Sequence, residues 1–271
     1  MSVSRTSQAV AMTRAGFARP HSADGDPLAQ QRLCAGMPAV VLTAMEASLA
    51  ARTAFFDGQV TGAIAGGPRP ATDQVVILGA GYDDRALRFR SPGVTFFELD
   101  HPDTQADKRR RLAAILGGAE SRSGSGPVLV AADFGRDDVP EVLRDAGHDA
   151  TRATLFVCEG LLVYLDQPTT VRFLSGVRAA ASDGSVLAAS LTVHAEGLDS
   201  ATVVARGNAR RRTAGAEPFR TILPASDQAG LLAAAGWRIT ASVDAAELGT
   251  GAEPGRSLLV TAVPQVSSAQ P

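Results

Sequence analysis

Hydrophobic positions from Val75 onward fall into short unbroken blocks, separated by stretches with helical spacing. Val75 to Leu78 is an apolar run of strand length, as expected for a strand buried on both faces of a parallel sheet. Further strands are predicted over 94–100, 127–133, 153–159 and 185–193. Helices alternate with them. One covers 101–116 with Leu112 and Ile115 inward, and one carries Val139, Val142, Leu143 and Ala146 up to a terminating Gly147. A third carries Val171, Leu174 and Val177 behind Asp166 as its cap. This alternation predicts an α/β fold, a doubly wound, mostly parallel sheet with helices on both faces. A helix over 228–235 and two strands over 237–243 and 257–263 follow, and the short connection between those strands suits an antiparallel pair.

Ahead of the sheet, 7–18 reads as a helix after a mobile tail. Residues 38–60 read as another, with Val41, Met45 and Leu49 on one face, followed by Arg52, Phe55 and Phe56. Residues 61–71 are rich in Gly and Pro and predict a loop. Residues 195–224 break the alternation, with Arg206, Arg210, Arg211, Arg212 and Arg220 among few large apolar residues. They predict a solvated helix or lid, or else a cover that meets an anionic substrate. The expected organisation is a helical N-terminal cap over 1–70 and one α/β domain over 71–271, with a lid-like insertion at about 195–224.

Composition removes several function classes. With 271 residues and 26 basic against 28 acidic side chains, charge makes no case for nucleic acid or an anionic membrane as partner. No apolar run approaches the roughly 20 residues that cross a bilayer. No compact apolar segment follows Arg5 and Arg14, so no secretory signal is expected. Cys34 and Cys158 make no disulfide framework, and a buried thiol at Cys158 and a cytoplasmic location are expected. No His/Cys/Asp cluster has metal-ligand spacing, and no Gly-x-Ser-x-Gly elbow is present.

The candidate chemistry gathers where the strands end. The first strand runs into Gly79-Ala80-Gly81, a turn of the kind that opens the ligand edge of an α/β sheet. It departs from the dinucleotide fingerprint, because the third glycine position holds Asp84, beside Asp83. Two carboxylates repel a pyrophosphate and suit a nucleoside with no phosphate and a positive centre. An ordinary turn closing a core strand is the plainer alternative. The next strands end in Glu98 and Asp100, in Asp133 and in Glu159. Glu98 and Asp100 follow Gly81 by 17 and 19 residues, near the spacing at which a second-strand acid reaches a ribose diol. Asp133 suits an adenine amino group. Any one of these acids can instead be a helix cap.

Four ordered segments carry a resemblance: Gly79-Ala-Gly-Tyr-Asp-Asp-Arg85, Phe97-Glu-Leu-Asp-His-Pro102 with Lys108, Ala132-Asp-Phe134, and Cys158-Glu-Gly-Leu-Leu-Val-Tyr-Leu165. Together they resemble the leucine carboxyl methyltransferase-like family of S-adenosylmethionine-dependent methyltransferases, common in actinobacteria. Val3-Ser-Arg-Thr6, Asp26-Pro-Leu-Ala29 and Arg52-Thr-Ala-Phe-Phe-Asp57 are similar to its N-terminal segments, so the likeness runs from about residue 3 to 263. It implies a Rossmann-like seven-stranded sheet with an antiparallel last strand and a helical N-terminal cap. It also implies S-adenosylmethionine as cofactor. Gly79 and Gly81 would lie under the methionine part, Ala80 and Asp83 would also bind the cofactor, Asp100 or Glu98 would lie on the ribose, and Asp133 and Phe134 around the adenine. Glu159 would stand near the cofactor amino group, Arg52 would pair with its carboxylate, and Tyr164 would face the methyl-transfer site. The family usually has Leu and Thr where Tyr82 and Asp84 stand, and often a second Arg at Ala54.

The expected activity is O-methylation of a small acceptor, aromatic or acidic, in secondary metabolism. A carboxylate acceptor needs no base, whereas a phenol gains from one, and His101 and His194 are the candidates. The chain is expected to act as a monomer or homodimer. Two alternatives stay open, a relative that runs a different reaction in the same pocket and a non-catalytic metabolite-binding protein.

Overall fold

The computed structural model describes residues 4–38, 46–67, 69–120, 126–214, 216–245, 247 and 256–265. Val41 and Met45, expected on one helix face, lie outside the described residues. α1 (Arg5–Arg14), α2 (Ala29–Leu33) and α3 (Glu46–Ala65) precede the first strand. β1 (Gln74–Leu78) is buried along its whole length, and its one polar side chain, Gln74, donates to the Asp149 carbonyl at 2.9 Å. After α4 (Arg85–Arg88) comes β2 (Thr95–Asp100), which pairs with β1 in parallel. α5 (Pro102–Glu120) leads to β3 (Val128–Ala131), and α6 (Val139–Asp145) to β4 (Thr154–Cys158), which takes the other side of β1. α7 (Gln167–Ala179) precedes β5 (Val186–His194), and α8 (Ser200–Ala214) precedes the two-residue β6 (Leu223–Pro224). α9 (Ala225–Ala234), β7 (Trp237–Asp244) and β8 (Arg256–Pro264) complete the fold.

The strand order is β3-β2-β1-β4-β5-β8-β7, with β8 antiparallel between β5 and β7 and β6 a short parallel addition to the end of β5. The expected mostly parallel sheet with an antiparallel last strand is therefore present. Period-two alternation splits the core in two. Val76, Leu78, Phe97 and Leu99 pack with Leu143, Leu174 and Trp237 beneath α6, α7 and α9. Val75, Ile77 and Phe96 pack with Phe56, Val60 and Phe89 on the opposite face. The chain leaves β1 first for β2 and β3, then returns to β4 and β5. The carboxyl ends of β1 and β4 are thus the topological switch point, where open α/β sheets bind ligands.

Two local expectations shift. Residues 61–65 are helical rather than loop. Thr61 bonds back to the Asp57 carbonyl at 3.0 Å, and the helix runs on until Gly66 turns left-handed at φ 74°. α2 and α4 are too short for periodicity to announce. The predicted caps form: Asp166 accepts from the Thr169 amide at 2.9 Å at the start of α7. Cys34 and Cys158 are buried free thiols, and burial pushes Cys158 up to about 12. Among the described residues, no helix is long and apolar enough to cross a membrane.

Candidate functional site

Leu78 stands level with Leu99 and Cys158, so β1, β2 and β4 end together. Gly79 and Gly81 then turn at φ 68° and 47°, conformations costly for any residue with a Cβ. Space also requires glycine here. A Cβ at Gly79 would come within 3.1 Å of Leu161, and one at Gly81 within 3.0 Å of Ser7 on α1. The amides of Gly79 and Ala80 both donate to the Leu99 carbonyl at 2.9 Å, tying the turn to the tip of β2.

Asp100 occupies that tip. Its Oδ2 accepts from the Gly81 amide at 2.6 Å and its Oδ1 from the His101 amide at 2.7 Å. Burial pushes its carboxyl up, and those two donors pull the other way. A carboxylate accepts about four hydrogen bonds, so the side chain is oriented by the backbone and retains acceptor capacity.

Beside the turn lies a buried ionic cluster. Arg85, from α4, gives Nε to Asp57 at 2.7 Å and Nη1 to Asp83 at 2.5 Å and Glu159 at 2.9 Å. Arg88 shares Asp57 at 2.8 Å and reaches Asp84 at 3.1 Å, and Arg19 grips Asp84 through both terminal nitrogens at 2.9 and 2.7 Å. Arg14, the last residue of α1, bonds Glu159, and Arg52 gives Nε to the same oxygen at 2.8 Å. Five guanidinium groups thus meet four carboxylates, Asp57, Asp83, Asp84 and Glu159, an excess of one positive charge. Arg52 uses only its Nε on these partners among the described residues, leaving its outer nitrogens as the cluster's free edge. Burial alone would raise the Glu159 carboxyl; Arg14, Arg85 and Arg52 outweigh it and hold the group far below the usual range.

These contacts correct several sequence expectations. Asp83 and Glu159 are both ion-paired with arginines, Asp83 with Arg85 and Glu159 with Arg14, Arg52 and Arg85. Glu98 does not reach the edge: it points into the interior, fully buried, with Oε2 2.5 Å from Lys108 Nζ. Of the two acids of β2, Asp100 alone stands at the edge. Asp133 and Phe134 follow β3 as expected. Asp133 Oδ1 accepts from the Gly135 amide at 2.9 Å, and Phe134 packs edge-on to Phe173 at 4.8 Å. Tyr164 ends the 3₁₀ turn Leu162–Tyr164 and accepts from Arg211 Nη2 at 3.0 Å. His194 is not an available base. A carbonyl can only accept, so Nδ1 donates to the Ala195 carbonyl at 2.8 Å, and Nε2 takes the Ser200 hydroxyl at 2.8 Å. His101 sits at the rim with Nδ1 3.3 Å from the Asp103 amide.

The leucine carboxyl methyltransferase family model matches residues 9–178, well over half of the chain. The chain belongs to this family. A protein of Mycolicibacterium gilvum with the provisional name S-adenosyl-L-methionine-dependent methyltransferase is 42% identical over 54% of this chain and 45% of its own length. The chain spans about half the length of the curated relatives it matches. Among solved structures, a provisionally named methyltransferase from Thermobifida fusca superposes with a TM-score of 0.61 at 16% identity, over 98% of this chain and 96% of that one. Magnesium protoporphyrin IX methyltransferase from Synechocystis, solved with bound S-adenosylhomocysteine, gives 0.55 at 15% identity, over 87% and 92%. The fold is that of class I methyltransferases.

The positions where this chain departs from the leucine carboxyl methyltransferase pattern have local explanations. Asp84 is neutralised by Arg19 and Arg88 and adds no free charge to the edge. Tyr82 turns into a pocket with Ala11, Cys34 and Met37 and donates to Asp107 at 2.6 Å. Ala54 is on the exposed side of α3, where a longer side chain would face water. The cluster members absent from the sequence expectations are Arg14, Arg19, Arg85, Arg88 and Asp57. One signal was available: Asp84 and Arg88 stand at i and i+4 around a helix start, the spacing of an ion pair.

Proposed function

We propose that the protein is an S-adenosylmethionine-dependent O-methyltransferase acting on a carboxylate or hydroxyl of a small molecule in secondary metabolism. The observation that carries this is Asp100. Its carboxylate stands at the tip of β2 beside the glycine turn, fixed by two backbone amides and with acceptor capacity left for a diol. The donor chemistry around it fits the cofactor. The cluster holds one guanidinium more than it has carboxylates, and the outer nitrogens of Arg52 at its edge suit a methionyl carboxylate, while Phe134 and Asp133 suit an adenine face and its amino group. When bound, S-adenosylmethionine supplies an electrophilic methyl group on a positively charged sulfur. The chain's own part is placement: Asp100 would hold the ribose and Arg52 the methionyl carboxylate, and Leu161 and Ser7 pack closely against the glycine turn between them. Fixing two reactants in line contributes several kcal/mol, about 7–11 at most, so alignment alone is a large share of such catalysis.

A repurposed fold has less support. Its motives were Tyr82, Asp84 and Ala54, and each has a local partner or faces solvent. Calorimetric titration with S-adenosylhomocysteine and with NAD is the direct test. Binding of the first and not the second is expected; binding of NAD alone, or of neither, removes the proposal. Transfer of labelled methyl to a panel of small acids and phenols then tests turnover.

A further inference from the structure

Arg211 is a half-buried cation with no carboxylate within ion-pair distance among the described residues. It lies in α8, the arginine-rich segment that interrupts the strand–helix alternation. Its side chain is nevertheless firmly held. Nε donates to the Glu217 carbonyl at 2.6 Å, and Nη2 donates to Thr6 Oγ1 at 3.2 Å and to Tyr164 Oη at 3.0 Å. The guanidinium lies 4.1 Å above the Phe219 ring. The nearby Glu217 carboxylate accepts from Thr6 at the start of α1 and makes no direct ion pair with Arg211. A guanidinium has five N–H donors; three are used here, and both on Nη1 remain. Tyr164 accepts from Arg211, so its own O–H proton remains free to donate. Two kinds of donor, one of them charged, therefore converge beside the Tyr164 hydroxyl.

We propose that Arg211 is the acceptor-binding, specificity-determining arginine: with the Tyr164 hydroxyl, it receives the carboxylate of an acidic small-molecule acceptor. This rests on the methyltransferase proposal above. Both ring nitrogens of His194, the candidate base that follows β5, are already hydrogen-bonded, so it is poorly placed to deprotonate a neutral alcohol. An ionised carboxylate reaches the site with no proton to lose, and a fork of N–H groups matches its two oxygens. The cover thus contributes a binding group as well as shielding.

The test is binding of matched fragments, namely benzoate, phenylacetate and octanoate, each against its amide, with and without S-adenosylhomocysteine. At least one acid should bind the natural chain about tenfold more tightly than its amide. Arg211→Gln should abolish that ratio, and Arg211→Lys should restore part of it. A purely structural role for Arg211 would weaken acid and amide alike and leave the ratio unchanged, which overturns the proposal. So does an absence of acid preference, or of any fragment binding, in the natural chain. Should S-adenosylhomocysteine fail to bind, the cofactor proposal falls separately, and the acid-to-amide ratio measured without it still decides the role of Arg211.

Discussion

The tips of β1 and β4 and the tips of β2 and β3 carry the same kinds of residue and use them differently. Beyond β1 and β4, Asp83, Asp84 and Glu159 are drawn into a dry cluster with arginines from α1, α3 and α4. Beyond β2 and β3, Asp100 and Asp133 are held by backbone amides and keep acceptor capacity. An acid at a strand tip is therefore not a ligand group by position alone. What decides is whether a helix delivers a guanidinium to it. The cluster also does one job for the site: it fixes Arg52 on Glu159 with its outer nitrogens free.

The largest expected effect falls on the cluster. Arg85 is fully buried and is the partner of three carboxylates, so Arg85→Ala leaves uncompensated charge in the interior. Removing one side of a buried pair costs about 3–5 kcal/mol, and chemical denaturation should show a loss of that size. An unchanged midpoint would mean that water already reaches the cluster, and the distinction between the two regions would collapse. The next effect belongs to the other region. Asp100→Ala should weaken S-adenosylhomocysteine binding by about 1–3 kcal/mol while shifting the denaturation midpoint far less than Arg85→Ala. A large stability loss with unaltered affinity would move Asp100 into the structural group.

The architecture was legible because it rests on apolar runs. Val75–Leu78 and the four strands after it announce themselves by composition, and the glycine turn by its need for positive φ. Asp100 was legible too, from its spacing to Gly81. Which of Glu98 and Asp100 faces the edge was not, because both lie on the same side of β2 and depth alone separates them. Glu98 is one pleat further in, where Lys108 from α5 reaches it. The cluster was the least legible feature. Its members come from residues 14, 19, 52, 57, 83–85, 88 and 159, and only tertiary packing brings those positions together. Arg211 was one of five arginines in the cover, and the sequence held no sign that it, rather than its neighbours, meets Tyr164.

The smallest effect is in pH dependence, and it separates two buried groups that act in opposite directions. Burial pushes the Glu98 carboxyl from 4.5 up to about 7, against the pull of Lys108. The folded chain then keeps a proton that the unfolded chain has lost. The Glu98 contribution to stability is whole below about 4.5 and is lost as pH climbs to about 7. His148 is wedged between Phe97 and Phe156, and burial lowers its pKa from 6.5. Here the unfolded chain takes a proton that the folded chain refuses, so its contribution is whole above 6.5 and declines as pH falls. Each unit of pKa difference is about 1.4 kcal/mol, and between pH 5 and 6.5 the two slopes oppose each other in the natural chain. His148→Gln keeps a partner for Thr154 and removes one slope, so thermal stability should rise from pH 7 to 5. Glu98→Gln keeps an acceptor for Lys108 and removes the other, so stability should fall over the same interval. If both variants retain the parent's profile, neither group is as dry as its burial implies, and the interior acids differ less from Asp100 than their contacts suggest.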